Sequence, residues 1–300
     1  MRVSTAGMNG QMISQAMKVQ SNYAEALDRQ SSGLKSSSLS GLAGQAGAAV
    51  SLQADIERSE QLATQAENAV SKVETAYSTV DTIVDDAEYI RSAIAGAIDG
   101  AEDSSTLATL QSTAAGYLED IVGLLNTKFA DSYLFSGGAA QTAPIDLSDT
   151  DYSATSATAD TGYYQGGGNP ATVMLDSDSS ISYGVTADAS AFEETIRALQ
   201  TIVNASSLDT STLQTAYDLL SSAVSGLGSI QEDLSSQANA LNSVIDNQTE
   251  FQIYANEALE SLTSVDVAEA SAVVSQQEVL LQASFATLSS LKSVSLLDYI

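Results

Sequence analysis

The residues that break helices are confined to one part of this chain of 300 residues. Both prolines, Pro144 and Pro170, lie in one central window together with the glycine clusters 137–138 and 166–168. Because proline and clustered glycine interrupt regular structure, this window marks a boundary and leaves the rest of the chain free to form long helices. The sequence is therefore divided into two helical halves and a central insertion.

The first half carries an apolar repeat with alternating steps of three and four residues, which is typical of coiled-coil helices. Acidic side chains such as Glu57, Glu67 and Glu74 lie off this stripe. The pattern predicts one helix over residues 43–98, about 80 Å long at about 1.5 Å per residue. The stripe comprises Ala49, Leu52, Ile56, Ser59, Ala63, Ala66, Val70, Val73, Tyr77, Val80, Val84 and Ala87.

The second half repeats this pattern, so we predict a mainly α fold: a long antiparallel coiled-coil helical rod built from both chain halves. A third helix is predicted over 104–130, after the capping residues 103–105. A short helix is predicted to begin at Ser190, where Ser190 and Glu193 match a capping box. The second stripe comprises Leu213, Tyr217, Leu220, Val224, Leu227, Gln231, Leu234, Ala238, Leu241, Ile245, Gln248, Gln252, Ala255, Leu259 and Leu262.

Each terminus carries a stripe with the same spacing, which predicts a separate pair of terminal helices. Thr263 and Asp266 match a capping box and mark a break before the last helix. Residues 1–50 have a net charge of +2, from four basic and two acidic side chains, whereas the last forty residues have a net charge of −3. Opposite charge favours association of these segments with each other or with a neighbouring copy, unless the charges are merely solvated. The terminal stripes comprise Val3, Ala6, Gly10, Ile13, Met17, Gln20, Ala24 and Leu27, and then Ala270, Val274, Gln277, Leu281, Phe285, Leu288 and Leu291.

The central window, residues 137–189, has no Lys or Arg. Segments 172–175 and 181–186 are predicted strands, because they are short, alternate in polarity and are separated by turn-forming residues. We predict a small, exposed, β-rich outer module inserted centrally in the helical rod.

Composition excludes much of the usual chemistry, since the chain has no His, no Cys and no Trp and a formal net charge of −28. The common general bases, nucleophiles and metal ligands are therefore missing. The negative charge repels nucleic acids and anionic membranes. We expect no enzyme activity, no cofactor, no metal site, and neither nucleic acid nor membrane as a partner.

Two further signals concern location. No stretch of about 18 apolar residues that could cross a membrane is present. The N-terminal residues lack the apolar region and cleavage site of a secretory signal. Taken alone, these signals predict a cytoplasmic chain.

Several acidic residues are spaced like metal ligands. Asp146, Asp149 and Asp151 form one such run, and Asp176 and Asp178 form another. Neither run has the glycine and the glutamate that complete a calcium-binding loop. We interpret both runs as solvated acidic turns, with weak divalent binding left open.

Other candidate chemistry is equally weak. The carboxylate pairs 85–86, 193–194 and 232–233 lie off the predicted stripes and have no tryptophan platform for a sugar, so we assign them no catalysis. Tyr163 and Tyr164 precede a glycine turn, and we interpret them as packing residues in preference to a ligand platform.

Particular strings in the chain resemble the flagellin superfamily. They are RVST at 2–5, DSYLFSGG at 131–138 followed by QTAPI at 141–145, and the whole segment 261–300, which ends in SLLDYI. Within that superfamily, the two ends are similar to the hook-associated protein 3 family of hook–filament junction proteins. Only Gly33 and Lys35 match the family's string in the region 31–48, so the resemblance predicts no conformation there.

The resemblance implies a three-part organisation. Residues 1–42 and 263–300 would form a terminal helical inner domain that polymerises, residues 43–136 and 190–262 a helical rod domain, and residues 137–189 the outer domain. The predicted assembly interface comprises Val3, Ala6, Ile13, Met17, Leu27, Val274, Leu281, Phe285, Leu288, Leu291, Leu296 and Leu297.

The implied function is that of a structural adaptor that joins the flagellar hook to the filament. The implied partners are copies of itself, another hook-associated protein, flagellin, the flagellar type III export apparatus and an export chaperone. The implied location is the extracellular flagellum, reached without a cleaved signal peptide. The alternatives are a filament flagellin proper and, from a different class, a surface-exposed module that binds a glycan or calcium.

Overall fold

The computed structural model describes residues 5–100, 104–153, 158–175 and 179–297. Six helices contain most of these residues, and a short 3-10 helix, Leu39–Gln45, precedes the second of them. The helices are α1 (Thr5–Ser32), α2 (Ala46–Gly100), α3 (Ser104–Leu125), α4 (Ser190–Val203), α5 (Thr210–Thr263) and α6 (Val267–Leu297). The prediction of a mainly α chain with a small central β segment is confirmed.

The described strands are short and form two antiparallel pairs. Strands β1 (Lys128–Phe129) and β2 (Ser132–Tyr133) form a hairpin, and β3 (Ala171–Met174) pairs with β4 (Ser180–Tyr183) with Val173 opposite Ile181. The predicted strands 172–175 and 181–186 therefore lie within one or a few residues of β3 and β4.

Helix α3 ends at Leu125, earlier than the predicted residue 130, and the next residue, Asn126, binds the loop that follows. Its side chain exchanges two hydrogen bonds with the backbone of Ile145, donating to the carbonyl at 3.1 Å and accepting from the N–H at 3.0 Å. The residues that follow form the β1–β2 hairpin in place of a further helical turn.

The chain divides into two compact units, one within residues 1–59 and 250–300 and the other within residues 60–249. In the second unit, Gln231 of α5 donates to Asp81 of α2 at 2.9 Å. Six residues later, Gln237 accepts a hydrogen bond from Gly184, and Gly184 lines the same recess as Lys72 of α2. Since later residues of α5 meet earlier residues of α2, the two helices run antiparallel.

The buried stripe of α2 shares most positions with the predicted one, including Val70, beside which Ala69 is also buried. It differs at Tyr77, which is exposed while Ala76 is buried, and at Val84, which is half-buried while Ile83 is buried. The same shift occurs in α5, where Ala216 and Ala223 are buried and the predicted Tyr217 and Val224 are only half-buried. Alanine allows two helices to approach closely, so the larger residue next to each alanine lies at the edge of the helix–helix contact. From Ala66 onward, the buried apolar residues of α2 are Ala66, Ala69, Val70, Val73, Ala76, Val80, Ile83, Ala87, Ile90, Ile94 and Ala97.

The central insertion is only partly exposed, because one side of it packs on α4, where the Tyr152 hydroxyl donates to Gln200. The rings of Tyr152 and Tyr163 meet edge to face with centroids 5.3 Å apart, and just before the insertion Phe135 meets Phe192 of α4 in the same way at 5.8 Å. Tyr163 is fully buried and its hydroxyl donates to the carbonyl of Ala187 at 3.1 Å. This position identifies Tyr163 as a core residue.

Candidate assembly interface

In the first unit, α1 and α6 pack against each other. Gln30 near the end of α1 donates to Ser271 near the start of α6 at 3.0 Å, and Leu34 forms a β-bridge with Ser264. The end of α1 therefore lies beside the start of α6, as in an antiparallel pair. The covered positions of α1 recur every three or four residues: Met12, Ala16, Val19, Tyr23, Ala26 and Gln30.

The predicted stripe of α1 lies on a different face from these covered positions. Ile13 is 49% exposed, Met17 is 66% exposed and Leu27 is 40% exposed. Helical geometry puts the two stripes roughly 100° apart, since each residue turns the helix by about that angle. We call Ile13, Met17, Ala24 and Leu27 the open stripe. The covered stripe was missed because it begins one residue earlier and is built largely from small or mixed-polarity side chains.

Helix α6 is apolar around much of its circumference. Val274 is buried, and Leu281 and Leu288 are half-buried, whereas Phe285 is 53% exposed. Further exposed apolar residues face other directions: Val267, Val273, Val279 and Leu280. A helix that is apolar on all sides is typical of one that is buried on all sides, so α6 has more apolar surface than α1 can cover.

Part of the predicted interface cannot be placed. Val3 lies outside the described residues, as do the side chains of Ala6, Leu291, Leu296 and Leu297. Of the remaining predicted residues, the structure puts Val274, Leu281 and Leu288 at covered or half-covered positions and Ile13, Met17, Leu27 and Phe285 at exposed ones.

The region after α1, for which the sequence predicted no conformation, forms a clasp on the junction between α5 and α6. The Lys35 Nζ donates to the carbonyls of Ser261 and Leu262, both at 2.9 Å, and the Lys35 backbone N–H donates to Thr263 at 2.7 Å. A lysine at this position satisfies the free carbonyls of a helix end and its charge complements the helix dipole. Lys35 is thus the C-terminal cap of α5, although it is far away in sequence.

Gly33 allows this clasp to form. Its φ is +72°, a left-handed conformation that glycine adopts without steric cost. Its N–H donates to Arg29 at 3.0 Å, which closes the last turn of α1, and its carbonyl accepts from Val265 at 2.8 Å. The two positions of this region that match the family string are therefore the ones that fix the connection between α1 and the α5–α6 junction.

The predicted capping boxes are only partly right. The break before α6 is confirmed, but the cap is Asp266, whose Oδ1 accepts from the N–H groups of Ala268 at 2.8 Å and Glu269 at 3.4 Å. Thr263 instead donates its hydroxyl back to Leu259. The box predicted at Ser190 is wrong, since α4 has no side-chain hydrogen bond at its start. The predicted cap at 103–105 falls partly outside the described residues.

Glu193 has a different role, and the prediction that its carboxylate pair lies off the packed faces is wrong. Its side chain is buried and accepts two hydrogen bonds from Arg197, at 2.9 Å and 3.1 Å. It also accepts from the backbone N–H of Asp160 at 3.1 Å, which holds the insertion to α4. Nearby, burial and the charge of Glu193 raise the pKa of Tyr152 to about 12, so its hydroxyl stays protonated and donates to Gln200.

The acidic turns use their carboxylates within the loop. Asp146 accepts from the backbone N–H and the hydroxyl of Ser148, and these bonds lower the pKa of Asp146. Asp149 accepts from Asp151 and from Gln165, both within 2.9 Å. These contacts support the interpretation as turns. The second predicted run, Asp176 and Asp178, lies outside the described residues.

In the described part of the chain, no helix is long and apolar enough to span a bilayer. The same residues contain no cluster of three or more carboxylates arranged to hold a metal ion.

Comparison with known proteins gives two family matches that together span both helical halves. The bacterial flagellin N-terminal helical region matches residues 3–140, and the bacterial flagellin C-terminal helical region matches residues 210–300. No curated protein sequence matches the chain.

Solved structures give a similar fold. FlgL from Bacillus cereus has 16% sequence identity and a TM-score of 0.55, covering 71% of this chain and 99% of its own. Flagellar hook-associated protein 3 from Legionella pneumophila has 13% identity and a TM-score of 0.58, covering 70% of this chain and 98% of its own. At these identities, the likeness establishes the fold.

Proposed function

This chain belongs to the bacterial flagellin family, and from that premise we propose that it is the adaptor subunit that joins the flagellar hook to the filament. Family membership makes it a structural, non-enzymatic subunit of the extracellular flagellum, which assembles with copies of itself and with other axial proteins. The extracellular flagellum therefore replaces the cytoplasmic location that was predicted from the missing signal sequence.

The adaptor role, as opposed to that of a filament subunit, is supported by two observations. The ends RVST and SLLDYI are similar to those of hook-associated protein 3. Two proteins of similar fold are a FlgL and a hook-associated protein 3, and this chain covers nearly their full length.

The observation that carries the assembly mechanism is the apolar surface left uncovered on the terminal helices. Met17 and Ile13 on α1 and Phe285 on α6 are about half exposed or more, although α1 and α6 already cover each other on another face. Helices with uncovered apolar faces are marginal in water, and covering those faces is favourable by about 25 cal/mol per Å² of apolar area. We therefore assign the open stripe and Phe285 to contacts with a second copy or an adjoining axial subunit.

The remaining parts of the proposal follow from the family resemblance. Residues 1–42 and 263–300 form the polymerising domain, residues 43–136 and 190–262 the rod, and residues 137–189 the outer domain. The subunit is exported through the flagellar type III apparatus with the help of a chaperone and without a cleaved signal. The absence of cysteine suits this route, because a chain without thiols cannot form disulfide bonds that would obstruct its export into an oxidising compartment.

Electron microscopy of a strain that lacks this chain tests the adaptor role. We expect intact hooks without filaments, and wild-type filaments would exclude the role. Immunogold labelling of the complemented strain separates the adaptor from a filament flagellin. Label confined to the hook–filament junction supports the adaptor, and label along the filament length supports the flagellin.

A further inference from the structure

Methionine is concentrated at the start of the chain. Four of the five methionines lie within the first 17 residues, and the chain has no Cys, Trp or His. The thioether is therefore the side-chain group most readily oxidised by peroxide in this sequence. Two methionines whose side chains are described are well exposed: Met17, at 66%, and Met174 on β3, at 55%. Met12 is half-buried on the covered face of α1.

We propose that Met17 is an oxidation site through which a peroxide-class oxidant prevents a free subunit from assembling. The proposal rests on the proposed function, because it concerns the same open stripe. In the reaction, the sulfur lone pair of Met17 attacks one oxygen of hydrogen peroxide and the O–O bond breaks. The proton on the attacked oxygen passes to the departing hydroxide, which leaves as water, so the sulfur is oxidised by two electrons to the sulfoxide and the peroxide is reduced.

Oxidation of Met17 should weaken assembly because of where Met17 lies. Met17 is one helical turn from Ile13 on the open stripe, so in an assembly its sulfur would be covered by an apolar contact. A sulfoxide is a strong hydrogen-bond acceptor, and a buried acceptor without a donor costs the desolvation of that group. That cost corresponds to a loss of affinity of about tenfold for each contact.

Because the open stripe is covered in an assembly, the reactivity of Met17 with peroxide should depend on whether the subunit is assembled. In the free subunit Met17 is more exposed than Met174, so both should react with peroxide. In an assembled flagellum Met174 should remain reactive and Met17 should not, because Met174 lies outside the terminal helices. Oxidation would thus affect subunits before they assemble and would spare those already in place. Methionine sulfoxide reductases can reverse the change.

The first experiment measures oxidation by mass spectrometry after a short exposure to hydrogen peroxide. Samples of the purified full chain and of isolated flagella are compared, with Met174 as the internal reference. We expect Met17 and Met174 to be oxidised at similar rates in the free chain, and Met17 to be protected at least tenfold in flagella. Equal reactivity of Met17 in both samples would overturn the proposal.

The second experiment supplies purified chain, oxidised or untreated, to cells that lack it, and counts filaments as a function of protein concentration. Each variant is compared with its own untreated sample. We expect oxidation to raise the half-saturating concentration about tenfold for the wild type and for Met174→Leu, and much less for Met17→Leu. Treatment with both sulfoxide reductases should restore the original value.

The outcomes are distinguishable. If the oxidised wild type acts at an unchanged concentration, or if Met17→Leu is as sensitive as the wild type, the oxidation site is rejected and the proposed function stands. If the untreated wild-type chain restores no filaments, the proposed function fails and the oxidation site fails with it.

Discussion

At the scale of single residues, the ion pair of Glu193 and Arg197 is largely buried, with side-chain exposures of 4% and 14%. Removing one partner of a buried pair leaves an uncompensated charge, which costs about 3–5 kcal/mol. We predict that Arg197→Met lowers the free energy of unfolding by about 3 kcal/mol, measured by urea denaturation. The matched control is Arg58→Met, which breaks an exposed pair with Asp55 and should change stability by less than about 0.5 kcal/mol. Equal effects of the two variants would contradict this assignment.

The carboxyl of Asp86 should make stability depend on pH. Burial, and then the charges of Asp120 and Asp85, raise the pKa of Asp86 in the folded chain. A raised pKa means that the folded state favours the protonated carboxyl over the ionised carboxylate. The contribution of Asp86 to stability is therefore fully present at low pH and is lost as pH rises through the folded pKa. We predict that Asp86→Asn raises Tm at pH 7, and that the gain disappears below about pH 4. A gain that persists at low pH would contradict this. Glu67→Gln, on the exposed face of the same helix, is the control.

Few of these residue-scale features could be predicted from the sequence. The spacing of Glu193 and Arg197 fits one face of a helix, but nothing in the sequence shows that the insertion covers that face. Lys35 reaches α5 across a separation of more than two hundred residues, so its capping role depends on tertiary structure. Such contacts are set by the fold and are read from it.

At the scale of elements, the left-handed Gly33 should be the critical point of the connection after α1. We predict that Gly33→Ala destabilises the protein by about 1 kcal/mol, because a Cβ is disfavoured at φ +72° even though no atom lies within 4 Å of it. Gly116→Ala, equally unobstructed but within α3, should instead stabilise by about 0.5–1 kcal/mol. Urea denaturation of both variants measures the difference, and a stabilising Gly33→Ala would show that the clasp does not need this conformation.

The helices themselves could be predicted because the 3–4 repeat is long and the helix breakers are confined to one window. The end of α2 was predicted to within two residues and its start to within three. The exact buried stripe could not be predicted, because two stripes one residue apart both have apolar residues. Close packing selects Ala76 and Ala216, whereas a hydrophobicity pattern favours the larger neighbours Tyr77 and Tyr217.

At the scale of the whole molecule, the same ambiguity on α1 has a functional meaning. The sequence predicted one apolar stripe, and the helix has two: a covered one that packs with α6, and the open stripe that contains Ile13 and Met17. A helix with two apolar faces has room for two neighbours, and among the described residues α6 covers one of these faces while Ile13 and Met17 on the other stay exposed. The mainly α fold, the central insertion and the flagellin family could all be inferred from the sequence, but which stripe stays free could not.

The most direct test of this account is the double variant Met17→Asp with Phe285→Asp, compared with Met174→Asp as an equally exposed control outside the terminal helices. Filaments are counted by electron microscopy in cells that lack the native chain, and circular dichroism checks that each purified variant keeps its helix content. We predict that the double variant folds and is exported but forms no hook–filament junctions, whereas Met174→Asp gives normal flagella. Normal flagella on cells that carry the double variant would contradict it.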